Sequence, residues 1–317
     1  MLKWQKQKGG VRVEKRIQEF LTDKSVKDAA KILGSEKESR FVRTIEKLSS
    51  TAKRIEVPNA PNPLIFKQTD NQSGIVGAAS SIMYNDIGIL TPQIHLINDK
   101  NKALTSTVQQ NISSIDFLYT VLAGCDFEYS QIVREFFEKD KWAVFYDSYL
   151  ANRLLQFMTP ECLEQLKNVF LIDELRTDID RHTKNYFFYK RKGVDKYEGV
   201  ITFDLEQLSI YFHCGDGKDD FSNFLLIPYE SATPQQKYDH ICYMKRVQNI
   251  RELIQDGVLS QQNLEVLIEA LKHDFSADVK KLVRSKKIYG KEKNKIVDPI
   301  ERLWEYNQNT IGKDLGI

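Results

Sequence analysis

Two short strand-like segments joined by a polar turn constrain the fold more than any other feature of the sequence. Residues 186–189 are aromatic and residues 199–203 are mostly apolar and β-branched, so both favour β-strand. Residues 192–198 between them are mostly polar and include a glycine, which is typical of a turn. Antiparallel pairing returns the chain to its starting point, so Asn185 and Asp204, which flank the hairpin, are predicted to lie at the same end.

A third polar side chain, Asp180, precedes the hairpin and can act together with Asn185 and Asp204. Asp180 begins the string Asp-Arg-His-Thr-Lys-Asn, which ends at Asn185. An amide oxygen and a carboxylate can hold hard cations, and a separate carboxylate can orient an attacking hydroxyl group and accept its proton. Each residue alone is more often an ordinary surface or turn residue. The combination of Asp180, Asn185 and Asp204 instead predicts a phosphoryl-transfer centre, with both metal ligands exposed in a cleft.

This string, followed by a hairpin and the segment Phe203-Asp204-Leu205-Glu206, resembles the catalytic loops of HipA-like kinases and of phosphatidylinositol 3- and 4-kinases. Both groups are remote members of the protein-kinase superfamily. The resemblance implies that Asp180 is the catalytic base, that His182 holds the loop in shape, and that Asn185 and Asp204 bind Mg²⁺ or Mn²⁺ beside ATP.

The residues before the hairpin fit a small β-containing lobe. Lys67 lies in the apolar segment 64–68, which follows a proline-rich stretch and is predicted to be a strand. The resemblance implies that Lys67 holds the phosphates of ATP, with Lys184 as a second candidate. A lysine on a strand can also be a charge on a sheet edge, and that alternative stays open here.

The predicted fold class is α+β, a two-lobed atypical protein-kinase-like fold. Residues 1–110 form a helical extension and the small lobe, and residues 111–317 form a mostly helical large lobe, after a hinge near 109–111. Further strands are predicted at 94–97 and 103–108. Helices are predicted on both sides of a cap at Thr22 or Ser25, and at 41–48, 75–87, 114–123, 129–138, 144–157, 161–175, 237–255, 260–273, 277–285 and 299–307.

Three features depart from the kinase pattern. No glycine occurs in residues 49–62, so the usual phosphate-binding glycine loop is missing. Residues 75–84 contain no acid to pair with Lys67, and Glu206 stands where a glycine is usual. A lysine without a partner is poorly positioned for catalysis. The acids considered as alternative partners are Asp70, Asp86, Glu36, Glu38 and Glu46.

The net charge of +2 argues against a whole surface that binds nucleic acid, but one region is strongly basic. This basic run either forms a solvated helix face or binds a compact polyanion. We expect an inositol polyphosphate or a phosphoinositide headgroup, which could act as an activator by favouring the active cleft. The candidate residues are Lys280, Lys281, Arg284, Lys286 and Lys287, followed by Lys291, Lys293 and Lys295.

The remaining features bear on location and partners. The four cysteines are too far apart for a zinc site or a disulfide framework, and no apolar run approaches a membrane span, so a cytosolic protein is expected. The absent glycine loop and a composition rich in Lys, Asn and Ile also resemble the divergent kinases that intracellular pathogens such as Legionella inject into host cells. That resemblance implies a host protein as the substrate.

The leading hypothesis is therefore a protein serine/threonine kinase that uses ATP. A phosphoinositide kinase is the alternative within the same fold, although the chain is short for that group and the residues after Asp204 contain no recognisable lipid-substrate loop. A non-catalytic binding module is the alternative outside catalysis. It predicts that ATP and a divalent metal do not bind together.

Overall fold

The computed structural model describes residues 10–35, 37–98, 104–112, 125–129, 143–177, 185–206 and 248–317. The strands are β1 (Arg43–Lys47), β2 (Ala52–Glu56), β3 (Leu64–Asp70), β4 (His95–Ile97), β5 (Leu104–Gln110), β6 (Cys125–Tyr129), β7 (Tyr186–Arg191) and β8 (Gly199–Thr202). The helices are α1 (Gly10–Leu21), α2 (Lys24–Gly34), α3 (Asn71–Asp86), α4 (Ala143–Tyr146), α5 (Ser148–Leu154), α6 (Pro160–Leu175), α7 (residues 248–255), α8 (Gln261–Lys272), α9 (Phe275–Ser285) and α10 (Gly290–Asn307). A 3₁₀ turn (Ser39–Phe41) precedes β1, and a π-helical turn (Gln308–Gly312) follows α10.

The first sheet forms the small lobe. Its five strands are antiparallel and run in the order β1-β2-β3-β5-β4, so β3 lies between β2 and β5. Helix α2 covers this sheet, and Val26 and Ala29 pack in one cluster with Leu64 and Val108. The predicted strands at 64–68, 94–97 and 103–108 are confirmed to within a few residues. Strand β5, predicted at 103–108, extends to Gln110 and therefore into the predicted hinge.

The helix predicted at 41–48 is wrong. The spacing of Phe41, Ile45 and Leu48 imitates a helical face, but these three side chains are 73%, 40% and 43% exposed and have no core to cover. Residues 43–47 instead form the edge strand β1, which pairs with β2. The cap between the first two helices is also neither Thr22 nor Ser25. It is Asp23, whose carboxylate accepts a hydrogen bond from the backbone N–H of Ser25.

Helix α3 joins the two lobes and is buried along most of its length. Asp70 caps its first turn by accepting hydrogen bonds from the backbone N–H and hydroxyl groups of Ser73. The helix lies close to β5, because a β-carbon at Gly74 would lie 2.5 Å from the methyl carbon of Thr105. The same position lies 3.2 Å from the hydroxyl oxygen of Thr69 on β3, so α3 also packs against the strand that carries Lys67.

The second sheet holds the predicted hairpin. Strands β7 and β8 pair antiparallel as expected, with Tyr186 opposite Thr202, and β6 adds a third strand that the sequence did not predict. Helix α1 packs on this sheet through Ile17 and Leu21. Tyr129, predicted to begin a helix, ends β6 instead. The rest of the predicted helix 129–138 and all of helix 114–123 lie outside the described residues.

The largest core lies in the large lobe, where α6 packs with α3, β7, β8 and the helices from α7 onward. Several predicted helices there are confirmed, and three have different bounds. The segment 144–157 is broken at Asp147, which caps α5; α10 begins at Gly290 and contains Pro299; and only residues 248–255 of helix 237–255 are described. Every described helix is too short or too polar to span a lipid bilayer.

Candidate active site

Lys67 and Asp204 meet between the two sheets, although they are 137 positions apart in the sequence. Lys67 lies on β3, paired with Ala52 of β2 on one side and with Thr107 of β5 on the other. The Lys67 ammonium donates a hydrogen bond of 2.7 Å to the Oδ1 atom of Asp204. Because β3 is an interior strand, the interpretation of Lys67 as an edge-strand charge is wrong.

Asp204 leaves the hairpin in an unusual backbone conformation. The N–H of Phe203 donates to the carbonyl of Asn185 at 3.2 Å, which confirms that Asn185 and Asp204 lie at the same end of the hairpin. Asp204 then adopts a φ of +63°, a left-handed conformation that costs a non-glycine residue about 1–2 kcal/mol. Its side chain is 37% exposed. The backbone therefore turns the carboxylate towards Lys67 and leaves part of it open to solvent.

Glu206 supplies a second carboxylate to Lys67. Its Oε1 atom lies 3.1 Å from the Lys67 Nζ atom, and both side chains are largely buried. Burial alone lowers the pKa of Lys67, but the carboxylates of Glu206 and Asp204 outweigh this effect and raise it. Burial raises the pKa of Glu206, against the opposing effect of Lys67. One cation thus faces two carboxylates, and the excess negative charge favours a further cation at this point.

A buried arginine holds the segment that carries these two acids. Arg176 follows α6, is completely buried, and donates to the carbonyl oxygen of Leu205 at 2.8 Å. It also donates to the hydroxyl of Tyr84 on α3 at 3.1 Å. That hydroxyl donates to Asp173, which also accepts a hydrogen bond from Tyr186. The network therefore links α3, α6 and β7 to the residue that follows Asp204.

The structure corrects two sequence-based expectations about this site. Asn185 is buried rather than exposed, with 2% of its surface accessible. Three of the acids considered as partners for Lys67 are engaged elsewhere: Asp70 caps α3, Glu46 pairs with Arg54, and Asp86 faces His273. Glu38 precedes the 3₁₀ turn before β1, and Glu36 lies outside the described residues. The partners of Lys67 are Asp204 and Glu206. Asp180, His182 and Lys184 lie outside the described residues.

The donor set fits a hard divalent cation. Asp204 offers a partly exposed carboxylate. Asn185 is held beside it because the carbonyl oxygen of Asn185 accepts a backbone hydrogen bond from Phe203, the residue before Asp204. Oxygen ligands of this kind are preferred by Mg²⁺ and Mn²⁺. Within the described residues no cluster of three or more Asp, Glu, His or Cys side chains forms a complete metal site.

The basic run lies on α9, in the turn after it, and at the start of α10. Lys280 forms an ion pair with Glu301, and Lys286 is buried with its Nζ atom 3.5 Å from the carbonyl of Ile97. Lys281, Arg284 and Lys287 are exposed. Of the remaining candidates, Lys291 and Lys295 at the start of α10 are exposed as well. Since Asn71 donates to Glu292 of α10, this region also contacts the start of α3.

Comparison with known proteins defines the class of fold. No protein-family model matches the sequence, and no curated protein matches it either. The chain has a two-lobed α+β fold of the protein-kinase type. It is similar to the Helicobacter pylori proinflammatory kinase CtkA, with a TM-score of 0.50 and 10% identity over 86% of this chain and 95% of that chain. It also matches a chain from the Shewanella oneidensis toxin–antitoxin system HipA, HipB and its operator DNA, with a TM-score of 0.47, 10% identity, and 87% and 65% coverage respectively.

Sequence reasoning missed the roles of Glu206 and Arg176. In the sequence Glu206 is only a departure from the usual glycine, although its position two residues after Asp204 allows it to reach the same lysine. Arg176 carried a weak signal, because a single arginine directly after the apolar stretch of α6 is an uncommon core residue. No pattern in the sequence connected it to Tyr84 or to the carbonyl of Leu205.

Proposed function

We propose that this chain is a protein serine/threonine kinase that transfers the terminal phosphate of ATP in the presence of Mg²⁺ or Mn²⁺. In this proposal Lys67 binds the ATP phosphates, Asn185 and Asp204 hold the metal, and Asp180 accepts the proton of the substrate hydroxyl group. The metal would neutralise charge on the phosphates. The resemblance to injected bacterial kinases extends the proposal to a substrate protein in a host cell.

The observation that carries this proposal is the 2.7 Å contact between Lys67 and Asp204 on a protein-kinase-type fold. A strand lysine in one lobe and a carboxylate after a hairpin in the other must converge for phosphoryl transfer, because positioning and charge stabilisation supply most of the catalysis. Both side chains face one another at the junction of the two sheets. A purely structural ion pair would not explain why the carboxylate is held in a strained backbone conformation.

Transfer of labelled phosphate from ATP to a mixture of protein substrates, with Mg²⁺ or Mn²⁺, tests this function. We expect incorporation that disappears when Lys67 is changed to methionine. Mass spectrometry of the product should locate phosphate on serine or threonine. Transfer only to phosphoinositide vesicles would replace the protein-kinase proposal with a lipid-kinase one. Absence of both phosphate transfer and stabilisation by ATP with metal would indicate a non-catalytic binding module.

The exposed part of the basic run supports a second component of the proposal, an activating polyanion such as an inositol polyphosphate or a phosphoinositide headgroup. Lys281 and Arg284 are three residues apart on α9 and therefore share a face. Lys287 adopts a φ of +59° at a position where helices usually place glycine. A lysine kept at a strained position suggests that its charge is useful. Because Glu292 of α10 accepts a hydrogen bond from Asn71 at the start of α3, a polyanion bound at the basic run could change the position of α3 beside the cleft.

A further inference from the structure

The helix beside Lys67 offers no carboxylate to this lysine. Within α3 the single acidic residue is Asp86, at the far end of the helix, where it faces His273. The α3 positions that face β3 and Glu206 are glycines: Gly74 lies against Thr69 of β3, and Gly77 lies against Glu206. In a kinase-type site the lysine must be held by an acid before it can position phosphates. Its holder in this chain must therefore come from another element.

Gly77 of α3 and Glu206 have complementary shapes. A β-carbon at position 77 would lie 2.7 Å from the Cγ atom of Glu206, and 3.6 Å from the Cα and Cβ atoms of the same residue. Gly77 lies inside a regular helix, where glycine is an unfavourable choice. Its presence is explained by this close approach, because any larger residue would push Glu206 away from the helix and from Lys67.

The two carboxylates on Lys67 differ in exposure and in geometry. The side chain of Glu206 is 11% exposed, and that of Asp204 is 37% exposed. Lys67 is hydrogen-bonded to Asp204, whereas its 3.1 Å contact with Glu206 is an ion pair that is not aligned as a hydrogen bond. Asp204 is thus the accessible carboxylate, while Glu206 is enclosed between Lys67 and α3.

We propose that Glu206 is the positioning residue for Lys67, in place of an acid on α3, and that Gly77 is the space that admits it. This inference rests on the kinase function proposed above. When Asp204 turns to a divalent cation, Glu206 keeps Lys67 in the cleft and can form the aligned hydrogen bond that it lacks in the present arrangement. Lys67 and the metal ligand are then held by different carboxylates.

Moving the carboxylate between the two positions tests this role. We expect Glu206→Ala to lower kcat by about 10–100-fold, as a misplacement of about 1 Å does, and to weaken the binding of Mn²⁺-ATP. The double variant Gly77→Glu with Glu206→Ala should regain part of the lost kcat and part of the lost affinity for Mn²⁺-ATP. The side chain of a glutamate at position 77 would extend into the space that the Glu206 side chain occupies in the wild type. Glu198→Gln is the matched control: Glu198 pairs with Arg191 at the opposite end of the hairpin and should leave kcat unchanged.

Two measurements keep this inference separate from the kinase function itself. Affinity for Mn²⁺-ATP is measured by calorimetry, and folding by the melting temperature, on the same full-length variants. If the wild-type chain binds Mn²⁺-ATP but transfers no phosphate, the kinase proposal fails while the affinities still test Glu206. Wild-type affinity in Glu206→Ala, or a folded double variant that recovers nothing, overturns the role of Glu206. A wild-type chain that neither binds nor transfers overturns both proposals.

Discussion

The guanidinium of Arg176 donates to the carbonyl of Leu205 at 2.8 Å, in a part of the core that water does not reach. This contact fixes the residue between Asp204 and Glu206, so it sets the direction of both acids. The same guanidinium contacts the hydroxyl group of Tyr84 on α3. The position of α3 and the position of the two carboxylates are therefore not independent.

Replacing Arg176 should destabilise the protein strongly. We expect Arg176→Met to lower the free energy of unfolding by about 3–5 kcal/mol, because it removes a buried cation from a network that reaches Asp173 through Tyr84 and leaves the Leu205 carbonyl without its donor. Arg43→Met is the control, since Arg43 is exposed on the edge strand and 3.9 Å from Glu56. It should change the free energy of unfolding by less than about 0.5 kcal/mol. Denaturant melts of both variants check this, and equal effects would contradict the structural role of Arg176.

Asp204 should be essential for phosphoryl transfer and dispensable for folding. We expect Asp204→Asn to lower kcat by about 100-fold or more, because the metal loses a charged ligand. Lys67 keeps Glu206 as a partner, so the melting temperature should stay close to that of the wild type. Asp195→Asn, in the exposed turn of the same hairpin, is the control and should retain full activity. Turnover at the wild-type level in the Asp204 variant would contradict the kinase proposal.

The exposed basic residues should bind inositol polyphosphates. We expect the triple replacement of Lys281, Arg284 and Lys287 by alanine to weaken this binding about tenfold or more, and the wild-type affinity to fall as salt is added. Lys286 is left intact because it is buried. A control variant removes the same number of positive charges from α2 and the turn after it, by replacing Lys24, Lys27 and Lys37 with alanine. Equal binding by both triple variants would contradict a polyanion site here and indicate that these residues only make the surface more soluble.

Glycine at position 287 should stabilise the fold. Lys287 has a φ of +59° after the end of α9, and a left-handed conformation costs a non-glycine residue about 1–2 kcal/mol. We expect Lys287→Gly to raise the free energy of unfolding by about 1 kcal/mol. Lys281→Gly, inside α9, should lower it by about 1 kcal/mol. Thermal melts of the two variants should therefore shift in opposite directions; a destabilised Lys287→Gly variant would show that the lysine side chain contributes to folding.

Acid should destabilise the small lobe through His95. Burial, with a smaller effect of Lys27, lowers the pKa of His95 from 6.5 to about 4. The unfolded chain therefore takes up the proton first, and stability is lost as the pH falls from about 6.5 towards 4. The loss should reach about 2–3 kcal/mol, and His95→Gln should remove most of it. Denaturant melts at pH 7.5 and pH 4.5 measure this; a wild-type chain and variant with the same pH dependence would contradict it.

The hairpin could be predicted from the sequence because its signals are local. Aromatic residues form one strand, mostly apolar and β-branched residues form the other, and a polar turn joins them. The placement of Asn185 near Asp204 therefore followed from pairing alone. The strand position of Lys67 followed similarly, because proline-rich residues precede an apolar segment. The prediction for edge strand β1 was wrong because its local signal is misleading. Its few apolar residues have a helical spacing, and only pairing with β2 makes the segment a strand.

Contacts between distant elements could not be predicted. Neither the burial of Asn185 nor the pairing of Lys67 with Glu206 depends on residues that are neighbours in the sequence. The usual kinase arrangement places the partner of the lysine on α3, where this chain has none within reach. The choice of Glu206 instead depends on how closely α3 approaches the end of β8, which is a property of packing.

The close approach of Gly77 to Glu206 also limits how this protein can evolve. A side chain at position 77 and a glutamate at position 206 would occupy the same space, so neither position is free to vary alone. Homologous sequences should therefore show covariation between them: glycine at 77 with an acid at 206, or an acid at 77 with a small residue at 206. Intermediates with a large residue at both positions should be absent, and the two arrangements should mark separate lineages of the fold.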